Sequence, residues 1–184
     1  NRCSGKREKD QIVDGLNTGF GARASHLSGD AEIISLQFNL IRSHAVGMGS
    51  PIKENYSLAT MLVRLNTLVK GSSGVSVELV KQLETFINYR IIPVIPEHGA
   101  VGTSGDLVQL AHIALALIGE GEVFYQSKRQ STVAVIKKLG IKPHQLRPKE
   151  GLALINGTSV MSAIASIIID RAANLLETEI LLGA

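Results

Sequence analysis

The stretch Leu107-Val-Gln-Leu-Ala-His-Ile-Ala-Leu-Ala-Leu-Ile118 decides the fold. Leu107, Leu110, Ala111, Ala114, Leu115 and Ile118 recur at the 3.6-residue period of an α-helix, while Val108, Ile113, Ala116 and Leu117 fill the opposite side. A helix that is apolar nearly all round must be enclosed by others, because exposing either side would leave a large apolar area in water. The stretch therefore predicts the central helix of a mainly α protein.

The flanking patterns agree. A helix is expected over about 30–44, with Ile33, Ile34, Phe38 and Ile41 on one face and Asp30 placed as its cap. A second, about 55–70, carries Leu58, Met61, Leu62, Leu65 and Leu68 or Val69, and stops at the loop Gly71-Ser-Ser-Gly74. Further helices are expected at about 77–88, at 131–139 with Gly140 as terminator, and at 159–182, where Ile164, Ile167, Ile168 and Leu175 leave more apolar surface than the other elements can cover. Strand signals are sparse. In Arg90-Ile-Ile-Pro-Val-Ile-Pro96 the two prolines forbid a central strand and argue for an extended connector, as does the composition of Lys142-Pro-His-Gln-Leu-Arg-Pro148.

The chain has 184 residues, 45% of them apolar, enough for one domain over 1–184 that buries about 70% of its unfolded surface. Nineteen basic against sixteen acidic residues leave +3, too small and dispersed to announce a nucleic-acid or anionic-membrane partner. The single cysteine, Cys3, excludes a disulfide framework and a multi-cysteine metal site, so a reducing, cytoplasmic location is expected. No uninterrupted apolar run reaches the roughly 18 residues of a membrane span, and the polar start is unlike a signal peptide.

Four glycine-punctuated stretches stand out: Asp14-Gly-Leu-Asn-Thr-Gly-Phe-Gly21, Gly99-Ala-Val-Gly-Thr-Ser-Gly-Asp-Leu107, Gly119-Glu-Gly-Glu122 and Glu150-Gly-Leu-Ala-Leu-Ile-Asn-Gly-Thr158. None fits a phosphate fingerprint: Ala24 stands where the first would need a third glycine, and no Gly-Lys-Ser/Thr exists. Ser104 lacks the second glycine of a hydrolase nucleophile elbow, because Asp106 occupies that position. The five histidines show no paired metal spacing, so neither metal nor nucleotide is expected.

Thr103-Ser-Gly-Asp106 has two readings. It is a good helix N-terminus before the Leu107 run. It is also a chemically competent turn: the unhindered amide nitrogen of Gly105 could attack the carbonyl of Thr103. Loss of water, with dehydration of the Ser104 side chain, would leave a cyclic electrophile bearing an exposed methylidene.

Gly102-Thr-Ser-Gly-Asp-Leu-Val-Gln-Leu-Ala-His-Ile-Ala-Leu-Ala-Leu-Ile-Gly-Glu-Gly-Glu122 resembles the cofactor segment of the histidine and aromatic amino-acid ammonia-lyases. Asn17-Thr-Gly-Phe-Gly21, Ser43-His44, Gly71-Ser-Ser-Gly74 and Glu150 to Thr158 fall in that family's order, so the resemblance runs from about Gln11 onward. It implies an L-aspartase/fumarase-like helical fold with short extended connectors. It also implies 4-methylideneimidazol-5-one (MIO) formed from Thr103, Ser104 and Gly105, with Asp106 orienting the ring or its precursor turn. An electrophile ahead of the Leu107 helix would sit at the positive end of its dipole.

In such enzymes the electrophile takes the substrate amine, a base removes a β-proton, and ammonia leaves to give an α,β-unsaturated acid. By family position Asn156 should hydrogen-bond near the MIO carbonyl; its other reading is an Asx turn at Asn-Gly. Ser43 and His44 stand where the family reads the substrate side chain, with Leu107 beside them; an imidazole donor there suits another imidazole or a phenol, and a plain helix-end role for His44 stays open. Ser43-His44 is typical of histidine lyases, whereas Asn156-Gly-Thr-Ser159 and Gly121-Glu-Val-Phe-Tyr125 look more like the phenylalanine and tyrosine branch, towards which the balance leans slightly.

The chain departs from the pattern in three ways. Thr103 replaces the usual alanine, a variant also found in aminomutases, which keeps a 2,3-aminomutase as the alternative. Asp14 stands where relatives carry the tyrosine that acts as base or proton relay. A carboxylate is the weaker base by about 6 pKa units, or about 8 kcal/mol, so turnover should be reduced or altered unless another group acts, and a catalytically impaired scaffold is the reading from another class. Relatives also continue far beyond Ala184 into long bundle helices and assemble as homotetramers whose sites draw on several subunits. The resemblance thus implies an N-terminal, cofactor-bearing portion, inactive alone, whose helix 159–182 leads into that bundle.

Overall fold

The architecture, taken from a computed structural model, is described for residues 30–183. It is mainly helical: α1 (Asp30–His44), α2 (Glu54–Val69), α3 (Val77–Asn88), α4 (Leu107–Leu117), α5 (Thr132–Lys138), α6 (Glu150–Ile155) and α7 (Ser159–Gly183). Short strands β1 (Met48–Pro51), β2 (Ile92–Pro93), β3 (Pro96–His98), β4 (Glu122–Tyr125) and β5 (Lys128–Ser131) fill the connections.

The enclosure of α4 holds. Leu110, Ala111, Ile113, Ala114, Ala116 and Leu117 are buried, and α1, α6 and α7 pack around them in one contiguous core that also takes Met61, Leu83, Phe86 and Ile95. Both α1 and α3 have the ends expected of them. In α3 the Ser76 hydroxyl accepts the Leu79 N–H at 3.2 Å, satisfying one of the four donors a helix start leaves free.

Two helices differ from their apolar patterns. In α1, Ile33 and Ile41 are buried with Gln37, whereas Ile34 faces outward. The buried stripe of α2 is Ser57, Thr60, Met61, Arg64 and Leu68, while Leu62 and Val69 are exposed. Three of those five are polar: Thr60 bonds back to the Tyr56 carbonyl in its own helix, and Arg64 reaches the backbone at the end of α6.

The prolines of the 90–96 segment act as expected. Pro93 lies in β2, the outer strand of the sheet ordered β2-β4-β5, where a missing N–H breaks no ladder; Pro96 lies in the two-stranded β1-β3 pair. The hairpin β4–β5 goes beyond the sequence expectation. Its two-residue turn is Gln126-Ser127, with φ of 51° and 58°, the geometry of a type I′ turn formed without the usual glycine. The sequence reading also lacked α6, which starts after the left-handed Lys149 (φ 72°).

The helix α7 is buried only near its start, at Ser159, Val160 and Ala163, where it meets α2 and α4. Its second half exposes Leu175, Leu176, Ile180, Leu181 and Leu182, as the surplus apolar surface foretold. No uninterrupted apolar run of span length occurs, as expected, although within 150–183 the most apolar window has a mean hydropathy of 1.9 and is, by length and composition alone, enough to cross a membrane.

Candidate active site

Two turns that are 52 residues apart in sequence meet at the head of α4. The Gly157 carbonyl accepts the Asp106 N–H at 2.7 Å and lies directly against Gly105. A Cβ on Gly105 would overlap that carbonyl, and the φ of +103° is one that side chains rarely adopt, so the position takes glycine for both reasons. Ser104, at φ 58°, is also left-handed and is exposed, as are Gly102 and Thr103.

This geometry serves the chemistry of the turn. Among the described residues the Gly105 N–H makes no hydrogen bond and the Thr103 carbonyl accepts none. The nucleophile and its target are therefore not tied into secondary structure, and no Cβ shields the nitrogen. The residues present fit an internally formed MIO group.

Asp106 does not cap its own helix. Its carboxylate, 3% exposed, accepts the N–H groups of Val160 at 2.9 Å and Met161 at 3.0 Å, which belong to the first turn of α7. It thus joins the N-termini of α4 and α7 beside Gly105, and the positive ends of both helix dipoles converge there. The contact fastens the start of α4 to a second helix.

Asn156 ends α6 and is exposed; among the described residues its side chain makes no hydrogen bond, so the Asx turn is not formed. Its backbone carbonyl is held instead. The Arg64 guanidinium donates through Nη2 to the carbonyls of Ala153 and Asn156, the latter at 2.8 Å. Burial pulls the Arg64 pKa below its ordinary value, but an arginine remains charged. The guanidinium also borders an open cavity of about 360 Å³ shared with Thr67, Ser73, Lys149, Asn156 and Ser162.

Ser43 and His44 close α1, and Leu107 opens α4. His44 Nδ1 lies 2.8 Å from the Leu40 carbonyl and 3.2 Å from Ser43 Oγ, which itself donates to Leu40 at 2.9 Å. A carbonyl can only accept, so the neutral imidazole carries its proton on Nδ1 and turns the lone pair of Nε2 outward. In that tautomer Nε2 is a hydrogen-bond acceptor.

The segment after His44 leans on α4. Gly47 N–H donates to His112 Nε2 at 3.3 Å, and a Cβ on Gly99 would lie 2.6 Å from Val108 Cγ1 and 3.3 Å from Gly47 Cα. Burial pushes His112 below the usual imidazole pKa, which preserves the neutral acceptor that this bond requires. His112 is thus a hydrogen-bonded helical residue. Asp14, expected at the family's base position, lies outside the described residues, as do Asn17 to Gly21.

Sequence reasoning passed over Arg64 and Gly157. Arg64 lies three residues from Met61 and four from Leu68, on the buried stripe of α2, and that spacing was a signal for it.

The comparisons with known proteins agree with this geometry. Residues 3–184 match the family described as aromatic amino acid lyase. The chain is 52% identical over 153 residues to the histidine ammonia-lyase of Macrococcus caseolyticus, covering 83% of this chain and 31% of that protein, so it spans about a third of the curated relative's length. The solved tyrosine aminomutase from Streptomyces globisporus superposes with a TM-score of 0.83 at 40% identity over 90% of this chain and 31% of that one. The phenylalanine aminomutase of Pantoea agglomerans gives 0.87 at 36% identity over 93% of this chain and 33% of that one. A match over nearly the whole length, joined to the glycine turn at the head of α4, means that this chain belongs to the aromatic amino acid lyase family.

Proposed function

We propose that these residues form the electrophile-bearing part of an ammonia-lyase that converts an aromatic L-amino acid or histidine into an α,β-unsaturated acid. The observation that carries the reading is the Gly105–Gly157 contact, which leaves a free nitrogen, an untethered Thr103 carbonyl and an exposed left-handed Ser104 at the positive ends of two helices.

Ring closure follows from these atoms. Gly105 N bonds to the Thr103 carbonyl carbon, whose oxygen leaves as water; Ser104 then loses its hydroxyl and α-proton as a second water. The MIO group, once formed, supplies an electrophilic methylidene for the substrate amine. Asp106 holds the turn against α7, and the family position of Asn156 gives it a hydrogen bond beside the ring. His44 Nε2 accepts a hydrogen bond from the substrate side chain, which favours a phenol or an imidazole, as in tyrosine or histidine, over the unsubstituted ring of phenylalanine. Leu107 supplies apolar surface next to it. Further substrate contacts, and a homotetrameric assembly, belong to the whole protein.

The test is intact mass: ring closure removes two waters, so the protein should be lighter than its sequence by about 36 Da. An unreduced mass sinks the reading. Absorbance of a urocanate-type or coumarate-type product then separates histidine from tyrosine. Thr103 and the likeness to aminomutases favour one second reading, a 2,3-aminomutase, which would yield a β-amino acid instead of free ammonia. With Asp14 at the base position, Asp14→Tyr should raise the elimination rate of the whole protein; an unchanged rate would remove Asp14 from that post.

A further inference from the structure

Among the described residues Arg64 is buried without a counter-ion. It is 3% exposed, no carboxylate lies within ion-pair distance among the described residues, and none of the residues lining the adjacent cavity is acidic. Its Nε meets no acceptor among the described residues. What the guanidinium does hold is backbone: Nη2 takes the carbonyls of Ala153 and Asn156, two of the four that the end of α6 leaves without helical partners, and Nη1 fills the space that a Cβ on Gly157 would need.

A buried charge of this kind is a poor stabiliser, since apolar replacements of buried charged groups are often neutral or better. Its distinctive property is a rigid, planar fork that fixes several acceptors at once. The atoms it fixes lead directly to the chemistry: Arg64 sets Asn156 and Gly157, and the Gly157 carbonyl sets Asp106 N–H and packs on Gly105.

We propose that Arg64 is a positioning residue for ring closure and for the presentation of Asn156. It acts from behind the 156–157 turn by pressing the Gly157 carbonyl onto Gly105. The proposal rests on the reading of Thr103–Gly105 given above. It separates two functions of α2: Met61 and Leu68 hold the core, whereas Arg64 aligns the turn.

The experiment uses the complete protein with Arg64→Lys, Arg64→Met and Gly157→Ala. Each is measured for intact mass, cooperative thermal unfolding and kcat per cyclised molecule. Lysine keeps the charge but not the fork, and the methyl group of Gly157→Ala pushes on the same contact from the other side. We expect cooperative unfolding in all three, the loss of about 36 Da in only a minority of chains, and kcat reduced by about 10²-fold through misplaced Asn156. Adding Gly157→Ala to Arg64→Met should change nothing further, because the clashing group is already gone.

If Arg64→Met does not fold, the lysine and alanine variants carry the test. Complete ring closure with unaltered kcat in the folded variants overturns the proposal, even if their melting temperatures fall. Absence of the mass loss from the unsubstituted protein overturns the underlying reading instead.

Discussion

At its N-terminal end α6 buries the Glu150 carboxylate, and at its C-terminal end it buries the Arg64 guanidinium. Glu150, 1% exposed, receives His144 Nε2 at 2.8 Å and the N–H groups of Ser76 at 2.9 Å and Arg147 at 2.8 Å. Burial pushes its pKa up, and the hydrogen bonds from His144, Ser76 and Arg147 together overcome that and bring it down to about 2. Among the described residues Arg64 has two carbonyls, no carboxylate and an unmet Nε. A charge with its donors supplied ties α3, the 142–148 connector and α6 together; a charge left partly unmet is tolerated where it sets a turn. The same short helix is thus anchored at one end for stability and aimed at the other for chemistry.

The contrast can be broken from either side. Glu150→Ala should have the largest effect, about 3–5 kcal/mol of unfolding free energy in urea, because His144 and two buried N–H groups lose their acceptor together. Ring closure in the folded fraction should be complete. Acid acts on the same group: with a folded pKa of about 2 against an ordinary 4.5, Glu150 contributes about 3 kcal/mol that is present above pH 4.5 and lost as pH falls towards 2. Denaturation curves across that window should flatten in Glu150→Gln, and an equal acid sensitivity in the two proteins would refute the assignment.

Arg64→Met should cost less, about 1–2 kcal/mol, since two carbonyls lose a partner while the guanidinium no longer has to be desolvated. A loss as large as that of Glu150→Ala would erase the distinction between the two ends. The smallest effect is expected for the exposed Arg42–Glu120 pair, whose fork bonds of 3.1 and 2.6 Å lie in solvent: Arg42→Ala should cost about 0.5 kcal/mol or less, and salt should abolish the difference.

Periodicity made the long elements legible: α4 is apolar all round, and α1 and α3 carry enough turns for their ends to be read. It failed for α6, whose six residues include Gly151 and whose ends are held by Glu150 and Arg64 rather than by helix propensity. It failed also for β4–β5, where Gln126-Ser127 supplies left-handed backbone without glycine. At the site, the turn at Thr103-Ser-Gly could be proposed from sequence because it is local. The Gly105–Gly157 contact, the Asp106 bridge to α7 and the tautomer of His44 were not, since each depends on a partner's orientation that spacing does not encode.

The Asp106 bridge has a mechanical side. The 25 residues of α7 make a rod of about 37 Å. One end is pinned by the Asp106 carboxylate, and near its middle Arg171 rests on Tyr56, with Nη1 3.3 Å from the hydroxyl and the guanidinium carbon 5.8 Å from the ring centre. Packed along α2 and tied to the start of α4, the rod keeps the left-handed loop at Ser104 in step with both helices.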